Sequence, residues 1–273
     1  MSFNQKTVLL GFGAMGGALA KGWIQKKVLK PSRVTAVNLN PAKRQKLARQ
    51  LKIKLTRDPA AALKDAGLIL LGVKPQQLKT LLGQVGSFFP RKALVVSLAA
   101  GISTKQVEDW LPQGCSVVRV MPNTPSVLGA GMAAVASGSR STASQVKLVL
   151  NLLAAVGRSV EVREDQMDMV TALSGSGPAY FFRMIEVLTA MGVQSGLRSE
   201  TASLLVAQTI YGAARMALET GKSPGELRQQ VTSPGGTTEA GLAAMDRKGF
   251  AAALRAAVTA AARRGAELRR MNR

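Results

Sequence analysis

The stretch Ser233–Leu242 combines residue types that suit the binding of a small carboxylate. It reads Ser-Pro-Gly-Gly-Thr-Thr-Glu-Ala-Gly-Leu, so a proline and two glycines shape a turn and a helix follows. The first N–H groups of a helix lack intrahelical partners and the helix dipole attracts anions, so this loop predicts a carboxylate site. The hydroxyl of Thr238 is the candidate to hold a second atom of the same ligand. An ordinary helix that begins after a turn is the alternative.

A second candidate site, for a dinucleotide, lies near the start of the chain. The motif GFGAMG occupies Gly11–Gly16, after the β-type run Lys6–Leu10 and before a helical pattern. In such a site the first glycine makes the turn, the second admits the pyrophosphate and the third lets the helix pack on the strand. The order of strand, motif and helix therefore predicts dinucleotide binding, with a purely structural glycine turn as the alternative.

The residues after the second β-type run, Arg33–Val37, bear on the choice of cofactor. Asn38 and Asn40 come directly after this run, and Lys43 and Arg44 follow them. An NAD site places Asp or Glu near this position to bind the ribose 2′-hydroxyl. Neutral amides with nearby cations leave room for a 2′-phosphate, which favours NADP. Solvent-facing cations on an ordinary helix are the alternative.

Composition excludes several kinds of chemistry. The chain has no histidine and one cysteine, Cys115, so we expect no internal disulfide, no histidine-activated nucleophile and no metal site. Its 37 Lys and Arg against 15 Asp and Glu give a net charge of +22, which indicates anionic partners. Aromatic residues make up only 4%, and no nucleic-acid-binding motif is visible. We therefore expect attraction of anionic small molecules and no specific nucleic-acid site.

The length of 273 residues, with 47% hydrophobic and 19% charged residues, suits two globular domains. No apolar run approaches the ~20 residues that cross a bilayer, and Met1–Gln25 has a glycine turn where a signal peptide has its apolar region. We expect a soluble, cytoplasmic protein without a membrane partner.

Short apolar β-type runs alternate with helical segments, which predicts an α/β fold with a largely parallel sheet covered on both faces. The further runs are Leu68–Val73, Ala93–Leu98, Ser116–Met121 and Met132–Ala136. Ligands bind at the carboxyl ends of such strands, so the loops after them are candidates. These loops are Val73–Pro75, Ala99–Gly101 and Met121–Pro125. In the last of them, Asn123 is the candidate to bind the nicotinamide amide.

After a β-type run at Val160–Arg163, the sequence becomes rich in Ala, Leu, Met and Gln at helical spacing. We therefore predict two domains, residues 1–162 and residues 163–273. Helices predicted at Pro178–Val193 and Thr201–Glu219 are very apolar, so their large side chains should be core, with a part in a subunit interface.

In the order of its motifs, the chain resembles the pyrroline-5-carboxylate reductase family over nearly its full length. The resemblance rests on Gly11–Gly16, Val73–Pro75, Ala99–Gly101, Met121–Pro125, Leu173–Tyr180 and Ser233–Thr238. The first motif is shared by many dehydrogenases, and the last two are specific to the family. The resemblance implies a Rossmann-type N-terminal domain, an all-α C-terminal dimerisation domain, and a homodimer or a decamer of dimers. It also implies reduction of 1-pyrroline-5-carboxylate to L-proline, the last step of proline biosynthesis, with NADPH or alternatively NADH as donor.

The resemblance also implies site residues by position. Those implied to bind the cofactor are Gly11, Phe12, Gly13, Ala14, Met15, Gly16, Asn40, Val73, Lys74, Pro75, Ala99, Ala100, Gly101 and Gln230, in addition to Asn123. Those implied to bind the substrate are Glu164, Ser233, Gly235, Gly236, Thr237 and Thr238. As the hydrogen-bond partner of the ring nitrogen, Thr238 is also the implied catalytic residue.

The chain departs from the family pattern at Asp58-Pro59, where many relatives have Asn near the adenosine end. An acid beside a 2′-phosphate is unfavourable, so this departure bears on the preference for NADPH. A β-hydroxyacid dehydrogenase is one alternative function, but it needs a lysine on the first long helix of the second domain, and none lies between Lys147 and Lys222. A nucleotide-binding regulator, or a basic nucleic-acid-binding protein without activity, is the alternative from another class.

Overall fold

The computed structural model describes residues 4–38 and 41–272, which fold into two compact units. The first unit contains residues up to Ser176 and the chain from Ala260 onward. Its centre is an eight-stranded sheet with the order β3-β2-β1-β4-β5-β6-β7-β8. The strands are β1 (Thr7–Leu10), β2 (Val34–Val37), β3 (Lys54–Thr56), β4 (Leu68–Leu71), β5 (Leu94–Ser97), β6 (Ser116–Met121), β7 (Gly131–Ser137) and β8 (Gly157–Glu161).

The predicted parallel sheet is confirmed for strands β1 to β6, which all pair in parallel. Two features differ from the sequence prediction. Strand β7 runs antiparallel to β6 and parallel to β8. Strand β3 was not predicted, because its three residues are partly exposed and include Lys54, so they lack the apolar pattern of the central strands.

Helices cover both faces of this sheet. They are α1 (Ala14–Gln25), α2 (Gln45–Leu51), α3 (Pro59–Leu63), α4 (Pro75–Val85), α5 (Thr104–Trp110), α6 (Ala143–Leu153) and α7 (Met167–Val170). Alternate strand residues build two cores: Leu70 and Val96 pack with α1 and α6, whereas Ile69 and Val95 pack with α3, α4 and α5. In the first core, the indole N–H of the buried Trp23 donates to the carbonyl of Leu152 at 2.8 Å.

The second unit, Gly177–Thr259, is helical. It contains α8 (Gly177–Gln194), α9 (Ser199–Glu219), α10 (Pro224–Gln230), α11 (Thr237–Arg247) and the beginning of α12 (Phe250–Met271). The fold class is therefore as expected, an α/β unit and an all-α unit. The predicted domain boundary after residue 162 was drawn from a change in composition, and it stays a prediction. The two compact units divide instead after residue 176, and the end of α12 belongs to the first unit.

The large apolar side chains of α8 and α9 are more exposed than predicted. Phe181, Phe182, Leu204 and Leu205 are all exposed in the single chain, with Leu204 at 69%. These four residues are therefore not core in the single chain, because the two long helices pack mainly against each other and leave their outer faces uncovered. The predicted part in a subunit interface stays a prediction. Among the described helices, none is long and apolar enough to cross a membrane.

Candidate functional site

The carboxyl edge of the sheet brings four of the predicted segments together. Strands β1, β4, β5 and β6 are neighbours and run in parallel, with Leu10 aligned to Leu71 and Leu71 to Ser97. The loops that begin at Gly11, Val73, Ala99 and Asn123 therefore follow one another along the same edge. This is the place at which open α/β sheets bind ligands.

The glycine turn has the geometry that a dinucleotide requires. Gly11 has a φ of +97°, and a Cβ at this position would lie 2.6 Å from the backbone of Gly72 and Val73. A Cβ on Gly16 would lie 2.6 Å from the carbonyl oxygen of Gly11, so the helix and the turn are in close contact. A Cβ on Gly13, which caps α1, would meet nothing within 4 Å. The turn thus fits a pyrophosphate, with free space and first-turn N–H groups at Gly13.

The other predicted cofactor residues differ in exposure. The side chain of Phe12 is fully buried in the core, so only its backbone can contact a cofactor. Lys74 is exposed at the N-terminus of α4, and Ala99 is buried. Asn40 lies outside the described residues. Gln230 is exposed at the end of α10, in the second unit.

Asp58, where the chain departs from the family pattern, has a structural role. Its Oδ1 accepts a hydrogen bond from the N–H of Ala61 at 3.1 Å and so caps α3, whose first residue is Pro59. Strand β3 ends just before Asp58 at Thr56, which is aligned with Val37 at the end of β2. Asp58 therefore lies at the same edge of the sheet as the end of β2.

We expect Asp58→Asn to increase the preference for NADPH without loss of stability. Asparagine caps a helix as well as aspartate does, so the free energy of unfolding should change by less than about 0.5 kcal/mol. Removal of one negative charge should lower the KM for NADPH by about threefold and leave the KM for NADH unchanged. Steady-state kinetics with each cofactor, together with urea unfolding, measure both effects. Equal changes of the two KM values would contradict an effect on the 2′-phosphate.

The end of α12 packs on the loop Ala99–Gly101, and no sequence signal predicted this contact. Gly101 has a φ of +69°, and a Cβ there would lie 3.1 Å from Cβ of Leu268. The Nδ2 of Asn272 donates to the carbonyl of Gly101 at 3.4 Å, and Nε2 of Gln106 donates to the carbonyl of Asn272 at 2.8 Å. The loop is therefore fixed by contacts with Leu268 and Asn272, which lie more than 160 positions away in sequence.

Asn123 uses its side chain within the protein. Its Oδ1 accepts from the N–H of Met132 at 2.9 Å, and its Nδ2 donates to the carbonyl of Ser174 at 3.3 Å. Ser174 lies in a π-helix, Thr171–Gly175, which overlaps the family-specific motif at Leu173–Tyr180. Asn123 thus connects the loop after β6 with this motif. In this structure the amide N–H groups of Asn123 donate to Ser174. Its contact with nicotinamide stays a prediction.

Glu164 binds an arginine that sequence reasoning missed. Nη1 of Arg119 donates to Oε1 of Glu164 at 2.5 Å, and Arg119 is only 1% exposed. The side chain of Glu164 is 27% exposed, but its Oε2 is buried. The signal that could have found Arg119 is a single charged residue in the middle of the apolar strand SVVRVM.

The Ser233–Thr238 loop forms a turn at the N-terminus of α11, in the second unit. Gly235 has a φ of +70°, and its N–H donates to Oε2 of Glu239 at 2.7 Å. The N–H of Gly236 donates to the carbonyl of Ser233 at 2.9 Å, and the intrahelical ladder of α11 starts with the bond from Ala240 to Gly236. The predicted carboxylate site therefore relies on the first-turn N–H groups of Thr237, Thr238 and Glu239. Thr238 is half-buried.

Comparison with known proteins gives a consistent result over both units. Residues 164–268 match the family model described as pyrroline-5-carboxylate reductase dimerisation, and residues 6–101 match the model described as NADP oxidoreductase coenzyme F420-dependent. A curated pyrroline-5-carboxylate reductase of Methanosarcina acetivorans is 39% identical, over 97% of this chain and 98% of the relative. The chain belongs to the pyrroline-5-carboxylate reductase family. The resemblance stated above is thereby confirmed.

Solved structures of the pyrroline-5-carboxylate reductase family agree with this assignment. The enzyme from Coxiella burnetii has a TM-score of 0.91 at 37% identity, covering 97% of this chain and 98% of that one. The Plasmodium falciparum enzyme, solved with NADP bound, has a TM-score of 0.88 at 28% identity, covering 98% and 100%. Membership of this family decides against the β-hydroxyacid dehydrogenase alternative.

Neither a nucleophilic thiol nor a cluster of metal-binding side chains is found among the described residues. Burial raises the pKa of the Cys115 thiol, so the thiol is protonated near neutral pH and unsuited to nucleophilic attack. Within residues 4–38 and 41–272, no group of three His, Cys, Asp or Glu side chains is placed to hold a metal ion.

Proposed function

We infer that this protein reduces 1-pyrroline-5-carboxylate to L-proline with NADPH as the hydride donor. The observation that carries the inference is the full-length similarity to curated relatives that are named pyrroline-5-carboxylate reductase. The glycine turn with free space at Gly13 supports the cofactor. The matched dimerisation model includes the Ser233–Thr238 loop, which is the proposed substrate site.

In the proposed mechanism, the residues of the chain orient the substrate and form hydrogen bonds with it. NADPH, when bound, supplies the hydride that is transferred to the imine carbon. The N–H groups of Thr237, Thr238 and Glu239 bind the substrate carboxylate and so present one face of the ring. The hydroxyl of Thr238 hydrogen-bonds the ring nitrogen. Because a protonated imine is already electrophilic, no strong general acid is needed, in agreement with a chain that has no histidine.

We also propose that the protein is a cytoplasmic homo-oligomer that acts in proline biosynthesis. The family model for residues 164–268 is described as a dimerisation domain, and the exposed apolar residues of α8 and α9 supply a surface for such an interface. Assembly of these dimers into a decamer is the larger state that the family resemblance suggests. Light scattering of the purified protein distinguishes the two states by mass. No specific nucleic-acid site is expected despite the charge of +22.

The direct test is oxidation of NADPH, followed by absorbance, with 1-pyrroline-5-carboxylate as the only acceptor and NADH in a parallel reaction. Proline should form in the same amount as NADPH is consumed. No turnover by folded protein that binds NADPH would contradict the reductase function and favour a nucleotide-binding regulator. Faster turnover with NADH than with NADPH would contradict the proposed cofactor preference.

A further inference from the structure

The end of α12 lies against the loop that follows β5, within the first unit. Gly101 in this loop has a φ of +69°, and a Cβ there would lie 3.1 Å from Cβ of Leu268. The Nδ2 of Asn272 donates to the carbonyl oxygen of Gly101 at 3.4 Å. Two residues from the end of the chain therefore contact a segment that is predicted to bind the cofactor.

Gln106 continues this contact as a chain of hydrogen bonds around the loop. Its Oε1 accepts from the N–H of Ser103 at 2.9 Å and completes the capping box of α5. Its Nε2 donates to the carbonyl oxygen of Asn272 at 2.8 Å. The bonds Ser103–Gln106, Gln106–Asn272 and Asn272–Gly101 therefore connect both ends of the segment 101–103 to Asn272.

A second contact of the same helix reaches the loop after β6. Nη2 of Arg269 lies 2.9 Å from Oδ2 of Asp168 in α7, and the side chain of Asp168 is only 14% exposed. The chain continues from α7 into the π-helix, where Ser174 accepts from the amide of Asn123. The end of α12 thus contacts one predicted cofactor loop directly and another through α7.

The loop after β5 has donors that the protein itself does not use. Within residues 4–38 and 41–272, the N–H groups of Ala100 and Gly101 donate to no protein acceptor. The loop lies at the carboxyl edge of the parallel strands, where open α/β sheets bind ligands. An ordered loop binds a ligand more tightly than a mobile one, because less conformational freedom is lost on binding. Contacts that fix this loop should therefore favour cofactor binding.

We propose that Asn272 is a positioning residue for NADPH, which together with Gln106 fixes Ala99–Gly101 in the conformation that binds the cofactor. The inference rests on the proposed function, because it takes NADPH as the cofactor. Strand β5 lies three positions from β2 in the sheet, and the 2′-phosphate is predicted to bind at the end of β2. Asn272 should therefore act on the part of the cofactor that NADPH and NADH share.

Asn272→Ala removes the donor to Gly101 without a change of charge. The Kd for NADPH, from fluorescence titration, should rise about three- to tenfold, and the Kd for NADH should rise by the same factor. The unfolding temperature of the cofactor-free protein should fall by less than about 3 °C. A larger fall with an unchanged Kd would mark a purely structural contact and overturn the proposal, as would a rise confined to NADPH.

Gln106→Glu tests the second bond of the chain. Glutamate still accepts from the N–H of Ser103, but it cannot donate to the carbonyl of Asn272, so the Kd for NADPH should rise by a similar factor.

Gln145→Glu is the matched control, because Gln145 has the same position in the capping box of α6 and accepts from the N–H of Thr142 at 2.9 Å. Helix α6 follows β7, which runs antiparallel to β6 and so ends at the opposite edge of the sheet. This variant should bind NADPH as the wild type does. An equal rise of Kd in Gln145→Glu and Gln106→Glu would overturn the role of Gln106.

The double variant Asn272→Ala/Gln106→Glu separates positioning from the charge that glutamate introduces. Both bonds act on the same loop, so the rise of Kd in the double variant should be smaller than the product of the two single rises. Single effects that multiply would assign the result in Gln106→Glu to charge repulsion and contradict the proposed coupling.

Turnover of the wild-type protein separates the inference from the function on which it rests. A wild type that binds NADPH but does not reduce 1-pyrroline-5-carboxylate contradicts the proposed function, and the Kd values of the variants still decide the role of Asn272. A wild type that is active, combined with an unchanged Kd in Asn272→Ala, contradicts the inference alone.

Discussion

Gly13→Asp is expected to abolish measurable NADPH binding, with a Kd raised by more than about 100-fold, while the protein stays fully folded. Gly13 is the N-cap of α1 with φ −77° and ψ −160°, a backbone conformation that any residue adopts. A Cβ there would meet no heavy atom from other parts of the chain within 4 Å. Aspartate is a favourable N-cap, so stability should be retained or should rise by up to about 1 kcal/mol. The introduced charge would lie where the pyrophosphate is predicted to bind.

Gly13→Asn is the matched control, because it has nearly the same size and capping ability without the charge. It should weaken NADPH binding less than Gly13→Asp does. Gly11→Ala, in contrast, should affect folding. Because Gly11 has a φ of +97° and lies against the backbone of Gly72 and Val73, alanine there should reduce the free energy of unfolding by about 2–5 kcal/mol. Fluorescence titration with NADPH and urea unfolding separate these effects. Wild-type affinity in Gly13→Asp would show that the cofactor does not bind at this turn.

The sequence was informative wherever a function imposes a local pattern. Gly11–Gly16 could be recognised because a turn, a close backbone approach and a helix start must follow in fixed order, and each selects glycine for a separate reason. The central strands were predicted because strands buried on both faces are continuously apolar. Strand β3 lacks that pattern. It lies at the edge of the sheet and contains the exposed Lys54, so only its pairing with β2 identifies it as a strand.

Contacts between distant parts of the chain could not be predicted in the same way. The bonds from Asn272 to Gly101 and from Asn123 to Ser174 join positions that carry no shared periodicity or motif. The sequence also did not show that Glu239 competes with the substrate for a donor. The carboxylate of Glu239 accepts from the N–H of Gly235, which is one of the residues predicted to bind the substrate. Such choices depend on side-chain geometry, which composition and spacing do not encode.

Thr238→Ala is expected to lower kcat/KM for 1-pyrroline-5-carboxylate by about 10- to 100-fold, because a hydrogen bond to a charged group contributes about 1.5–3 kcal/mol. Alanine removes the hydroxyl proposed to bind the ring nitrogen and keeps the backbone N–H proposed to bind the substrate carboxylate. The Kd for NADPH should stay unchanged, because the hydroxyl of Thr238 is proposed to bind the substrate and not the cofactor. Alanine is a good helix former in the first turn of a helix, so α11 should remain intact.

Thr238→Ser is the control that separates the hydroxyl from the shape of the side chain. Serine retains the hydroxyl and loses only the methyl group, so it should recover most of the kcat/KM that alanine loses. A loss in Thr238→Ser as large as in Thr238→Ala would assign the effect to packing around the half-buried side chain. Wild-type kinetics in Thr238→Ala would remove Thr238 from the mechanism, and the ring nitrogen would then need another partner. The order wild type, serine, alanine in kcat/KM, at constant Kd for NADPH, is the result that the proposed geometry requires.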